Sequence, residues 1–134
     1  MSSNASYVID THPLIWHLAG SPKVKAAARQ ALARIERGEA LGLIPAIVLA
    51  ELSYLFEKGR TGLSLKRVLI EIDLIPFYQV IPLEREQVEE IAKLTEIPEM
   101  HDRMIVAVAK LKKAKLITKD QAIKDSGLVV VVWD

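Results

Sequence analysis

Cysteine is absent from the 134 residues. That excludes a disulfide framework and a thiolate zinc site, and it suits a cytoplasmic protein. Long apolar runs are missing too. The longest, residues 41–50, contains Gly42 and Pro45 and is too short to span a bilayer. The start of the chain lacks the basic residues and apolar stretch of a signal peptide. There is almost no excess of one charge: 18 Lys and Arg face 17 Asp and Glu, a net +1. Such a balance neither demands nor forbids a nucleic-acid partner, because a local basic face suffices to hold one. Repeats, low-complexity tracts and interdomain linkers are also lacking. What is present is apolar content, 51% of the residues, enough to fill the core of one domain at this length. The expectation is a single domain over residues 1–134, with residues 1–6 a flexible start.

Short apolar runs alternate with helical patterns, the signature of a parallel α/β sheet. Strands are expected at residues 7–10, 41–44, 78–82, 115–118 and 129–133, about five in all. The four consecutive valines, Val129 to Val132, suggest a strand buried on both faces. Helices are expected at residues 11–18, from Ser21-Pro22 to Gly38, from Pro45 to Lys58, from a Ser64 cap to Ile72, over 84–95, and from Asp102 to Lys113. A short helix begins near Gln121. The leucines and isoleucines of residues 63–77 read mostly as core, and any left exposed would serve a partner surface. Open sheets of this kind carry their sites outside the carboxyl ends of the strands.

Those ends hold carboxylates. Asp10 follows the apolar Tyr7-Val8-Ile9; alone it reads equally as a turn or cap residue. Glu51 has Ile47, Val48, Tyr54 and Leu55 as its helical neighbours, so its carboxylate leaves an apolar face. It either snorkels to solvent or meets a cation, a hydrogen-bond network or a proton. Asp102 lies on the apolar side of its helix and doubles as a candidate N-cap. Asp120 follows Leu116-Ile117-Thr118 and caps the next short helix. Taken together, the four acids fall where an α/β sheet gathers residues into one crevice. An oxygen-only donor set suits the hard cations Mg²⁺ or Mn²⁺, which relieve the repulsion and can activate water against a phosphodiester. No Ser-His-Asp or Cys-His arrangement competes with this set.

Four segments carry a family resemblance: Tyr-Val-Ile-Asp-Thr-His-Pro-Leu-Ile-Trp-His-Leu-Ala-Gly at 7–20, Ile-Val-Leu-Ala-Glu-Leu-Ser-Tyr-Leu at 47–55, His-Asp-Arg-Met-Ile-Val-Ala-Val-Ala at 101–109, and Leu-Ile-Thr-Lys-Asp at 116–120. In this order they resemble the PIN-domain family, in particular its VapC-type toxin branch. The resemblance implies a three-layer α/β/α PIN-like fold with a mainly parallel sheet. It matches Asp10, Glu51, Asp102 and Asp120 to the family's acidic metal-ligand and catalytic positions, and Thr118 to a supporting hydroxyl. It further implies metal-dependent cleavage of RNA, Mg²⁺ or Mn²⁺ as cofactor, an inhibiting antitoxin partner, and a homodimer.

Beside these, Lys119 is the foremost candidate for substrate contact, since it adjoins Asp120. Arg103 holds either a phosphate or a neighbouring carboxylate. Glu99 and Asp125 are further acids, and His12 and His101 flank ligand positions; packing or exposure explains these histidines as readily as a proton or phosphate role. Lysines 110, 112, 113 and 115, and the basic early helix, read first as solvated faces. Three other functions share parts of the pattern. A housekeeping RNA-processing nuclease would use the same site. An aspartyl-nucleophile phosphatase would put a second Asp where His12 stands. A receiver-like signalling domain would not need Glu51 in mid-helix.

Overall fold

The computed structural model describes residues 5–59 and 61–134. Strands β1 (Ala5–Ile9), β2 (Ala40–Pro45), β3 (Tyr78–Ile81), β4 (Lys115–Ile117) and β5 (Val131–Val132) form one sheet in the order β3-β2-β1-β4-β5. Every pairing is parallel. The helices that flank it are α1 (Thr11–Leu18), α2 (Ala26–Glu36), α3 (Ala46–Glu57), α4 (Leu65–Asp73), α5 (Arg85–Ile91), α6 (Met100–Lys112) and α7 (Gln121–Ser126). The α/β class, the five strands and the parallel sense match the expectation.

The central strand sets the geometry. Val8 pairs with Leu43 on one side and Leu116 on the other, and Val8 and Leu116 are wholly buried. Strands run outward from β1 to β2 and β3 on one flank, and to β4 and β5 on the other. The direction of winding reverses between β1 and β4, so their carboxyl ends border an open crevice, the usual ligand position in such sheets. On the far flank the Tyr78 ring of β3 can lie over β2 because residue 42 is glycine. A Cβ there would lie 2.6 Å from the Tyr78 ring and 3.1 Å from Ile35.

Several expectations need correction. The helix after Ser21 starts only at Ala26. The Ser21 hydroxyl accepts the Lys23 N–H at 3.2 Å, and the turn it stabilises lets Val24 reach the core. The helix from Glu84 ends at Ile91 rather than Thr95, since two successive tight turns, Leu94 N–H to Ile91 O and Ile97 N–H to Leu94 O, bury Leu94 and Ile97. The four valines do not make a strand covered on both faces. Only Val131 and Val132 pair, β5 is an edge strand, and Val130 is exposed. Residues 63–77 are core only along one side of α4: Val68 and Ile72 are buried, whereas Leu69, Ile70 and Leu74 are exposed. Of the flexible start expected at residues 1–6, residues 1–4 lie outside the described residues, and Ala5 and Ser6 already pair with β2.

Candidate active site

The site grows from the β1 ladder. The Asp10 N–H donates to the Ile117 carbonyl at 3.0 Å, carrying the β1–β4 pairing one step past the last strand residue. The Asp10 side chain then caps α1, with Oδ1 accepting the Thr11 N–H at 2.7 Å. Its Oδ2 accepts the Thr118 hydroxyl, also at 2.7 Å. Thr118 is fully buried and its oxygen in turn accepts the Asp120 N–H at 3.1 Å. One hydroxyl thus ties together two acids 110 positions apart in the sequence. Asp120 caps α7 through Oδ1, which accepts the Ile123 N–H at 2.9 Å.

Glu51 enters from mid-α3. Its Oε1 accepts the Thr11 hydroxyl at 2.8 Å, so it neither packs unpaired nor simply snorkels. Thr11 is buried and was not singled out from the sequence. The signal was a hydroxyl directly after the strand-end acid, on the same helix turn that Asp10 caps. Asp102 comes from α6, but not as its cap. The helix begins at Met100 and is capped by Glu99, whose Oε1 accepts the Asp102 N–H at 3.0 Å. Asp102 is the third helical residue, where a negative charge still meets the positive end of the helix.

Asp10, Glu51, Asp102 and Asp120 line a single cavity of about 400 Å³, together with Thr11, His12 and Lys119. Burial drives the Asp10 carboxyl above its ordinary range, opposed by the hydrogen bonds from Thr118 and Thr11 and by the charge of His12, and assisted by repulsion from Asp120. Asp102 is pushed up to about 6, first by burial and then by repulsion from Asp120, Asp10, Glu99 and Glu51. The cavity therefore holds more negative charge than its own cations balance. Among the described residues, no group of three or more His, Asp or Glu side chains is gathered as a ready-made ion cage.

The remaining candidates divide. Lys119 lines the cavity, and its Nζ lies 5.1 Å from the Trp16 ring centroid. His12 also lines the cavity and stays exposed. Arg103 is not among the lining residues; its Nε donates to the Ile97 carbonyl, and no carboxylate partner is found for it among the described residues. Glu99 acts as the α6 cap and holds His101 Nδ1 at 3.0 Å. Asp125 accepts from Gln121 Nε2 at 2.8 Å on the surface, away from the acids. Lys110, Lys113 and Lys115 line a separate cavity of about 510 Å³ beside α6 and β4. No described helix is long and apolar enough to cross a membrane.

Comparison with solved structures gives full-length matches. VapBC2 from Rickettsia felis, bound to a DNA fragment from its promoter, superposes with a TM-score of 0.72 at 19% identity, covering 96% of this chain and 99% of that one. A toxin–antitoxin complex from Klebsiella pneumoniae gives 0.67 at 21% identity over 92% and 95%. FitAcB from Neisseria gonorrhoeae gives 0.67 at 20% over 93% and 95%. At these identities the likeness speaks for the fold. A comparison with curated protein sequences gives no match. The model of the PIN domain matches residues 7–127, a span that includes every acid of the cavity, and the chain belongs to the PIN domain family.

Proposed function

We propose that this chain is a metal-dependent endoribonuclease, the toxin of a toxin–antitoxin pair, with Asp10, Glu51, Asp102 and Asp120 as its metal-binding and catalytic acids. The observation that carries the reading is the convergence of four carboxylates from four separate elements on one cavity at the switch point of the sheet. The donor set fits Mg²⁺ or Mn²⁺: it is all oxygen, and burial first, then repulsion from the neighbouring acids, raises the Asp102 carboxyl. An RNA phosphate entering an uncompensated acid cavity is repelled, so an enzyme built on it requires a cation. A bound divalent ion supplies that charge compensation and makes water more acidic.

The chain's own residues do the rest. Thr118 and Thr11 fix the orientation of Asp10 and Glu51 by donating to one oxygen of each; a carboxylate accepts at about four positions, so both keep lone pairs for other work. Lys119 adds a positive charge at the rim, where a phosphate oxygen would sit. Hydrolysis adds water across a phosphodiester: the water oxygen bonds to phosphorus, one P–O bond to a ribose oxygen breaks, and that oxygen takes up a proton. His12, two positions after Asp10, and Glu51 in the cavity speak for this reading over an aspartyl-phosphate chemistry.

The antitoxin partner is supported by the Klebsiella pneumoniae neighbour, described as a toxin–antitoxin complex. The homodimer is supported by the apolar, exposed Leu69, Ile70 and Leu74 on and after α4. Acting on RNA under an antitoxin's control entails a cytoplasmic protein. The test is incubation of the purified protein with a labelled mixed-sequence RNA pool in Mg²⁺, Mn²⁺ or chelator, beside folded D10N and E51Q variants. Cleavage that needs metal and is lost in both variants is expected. Cleavage that survives both substitutions would remove the acids from the mechanism.

A further inference from the structure

Next to the acid cavity lies a second one, of about 360 Å³, with an apolar wall. Its lining includes His12, Trp16, Leu55 and Leu63. His12 lines both cavities, so they adjoin. The volume falls in the range of clefts that hold small organic groups, roughly 300–1,000 Å³.

The chemistry of the wall is specific. Trp16 and His12 have ring centroids 5.5 Å apart, and Trp133 stands behind Trp16 at 6.1 Å. Two exposed lysines rest on Trp16: Lys23 Nζ at 5.2 Å and Lys119 Nζ at 5.1 Å from the ring centroid. They come from opposite ends of the chain. An aromatic and aliphatic wall, two mobile cations and an adjoining acid site match one kind of ligand, a flat apolar group attached to phosphates. An exposed lysine on a ring is weakly held, and a phosphate is a better partner for it. Arrival of a phosphodiester would draw the lysines off the indole and leave its surface to a base.

We infer that this cavity is a nucleobase subsite, taking the base of an unpaired nucleotide beside the phosphate held at the acids, with Trp16 and His12 against the base and Lys23 and Lys119 on flanking phosphates. The inference rests on the ribonuclease reading and adds to it the place where a base is held: a splayed base can enter this cavity, whereas the bases of a duplex are paired and stacked away from it.

The test leaves the wall intact and alters the RNA. In a W133F protein, Trp16 is the sole tryptophan, and its emission reports stacking. With Ca²⁺ in place of Mg²⁺ to slow cleavage, the protein is titrated with a fluorescently labelled single strand of about ten nucleotides, with an abasic strand of equal length, and with duplex; base stacking predicts binding on the order of tenfold tighter for the base-bearing strand. Quenching of Trp16 is expected from that strand alone. K23Q should lower the salt slope of binding by about 0.7 for the one phosphate it loses. Equal binding of abasic and base-bearing strands overturns the subsite, as does Trp16 emission that stays constant while labelled RNA binds; the cavity would then be left to a protein segment. Wild-type protein that neither binds nor cuts RNA would instead remove the ribonuclease reading, and the subsite with it.

Discussion

Replacing Asp102 by Asn removes one negative charge from the cavity while keeping the shape of the side chain. In the folded protein the Asp102 carboxyl is raised from an ordinary 3.8 to about 6. The fold therefore favours its protonated form. The sign follows from proton linkage. Stability from this group is fully present below pH 3.8 and is lost as pH rises through about 6. At pH 7.5 the metal-free wild type carries the whole penalty, and D102N carries none of it. The interval from 3.8 to about 6 corresponds to a ceiling of about 3 kcal/mol. Asp102 is only half-buried, and solvent screening cuts the figure to about 1.5 kcal/mol. Asn also forgoes the attraction of a charge near the α6 N-terminus, about 0.5 kcal/mol. The net expectation is that D102N is more stable than wild type by about 1 kcal/mol, a melting temperature higher by about 4 °C for a domain of this size.

Thermal melts in chelator, at pH 4 and pH 7.5, read this directly. The advantage of D102N should appear at pH 7.5 and shrink towards nothing at pH 4. Saturating Mg²⁺ or Mn²⁺ should reverse the order at pH 7.5, because a ligand at about 100 times its Kd stabilises wild type by about 2.7 kcal/mol and D102N has lost a donor. A D102N protein that melts below wild type in chelator, or whose advantage is the same at both pH values, would refute the reasoning. The acids would then not repel one another as their shared cavity requires.

Three further outcomes follow from the hydrogen bonds and the packing. T118V removes the donor to Asp10 and the acceptor for Asp120 N–H; loss of such outer partners typically costs 10–100-fold in metal affinity or activity, and T118S should recover most of it in a cleavage assay with metal titration. G42A places a Cβ 2.6 Å from a Tyr78 ring whose hydroxyl donates to Glu36 at 3.1 Å, so the ring cannot swing freely; denaturant unfolding should show a loss of about 1–3 kcal/mol with the acid cavity unaffected. S64A removes the α4 cap, where Ser64 accepts the Arg67 N–H at 3.2 Å, and should cost about 1 kcal/mol without changing cleavage.

Much of this was readable in the sequence because local rules and the fold agree. Asp10 and Asp120 end apolar strands and cap the helices that follow, and both roles are visible within a few residues. Glu51 was readable only in part: a carboxylate on the Ile47, Val48, Leu55 face could equally snorkel to solvent, and its position among the other acids is what singled it out. The shortfalls have one cause, tertiary burial overriding a local signal. Ser21-Pro22 is a sound helix start, yet burying Val24 delays the helix to Ala26. Four valines are strong strand formers, yet β5 has a neighbour on one side only, and Val130 stays in solvent. Asp102 is a sound cap, but Glu99 three residues earlier takes the role and leaves Asp102 free for the cavity. Thr11 became visible only when α3 was packed on α1, because its partner is 40 residues away.

The two threonines explain how such a site exists in a stable domain. Four acids in one cavity oppose folding, and burial raises the Asp10 carboxyl above its ordinary range. Its two oxygens each receive a donor, one from the backbone at Thr11 and one from Thr118. These bonds oppose, without cancelling, the burial that raises its carboxyl. Thr11 and Thr118 sit at the ends of β1 and β4, the two strands that flank the winding reversal. The same crevice that offers space for a ligand therefore brings two buried hydroxyls within reach of the acids. Asp102 has no hydroxyl donor of this kind among the hydrogen bonds of the described residues, and its carboxyl is raised to about 6. The acids are thus unequal: Asp10 and Glu51 are held in place by hydroxyls, and Asp102 is not. That inequality is why the Asp102 substitution, rather than one at Asp10 or Glu51, separates the electrostatic cost of the site from the hydrogen bonds that keep it in shape.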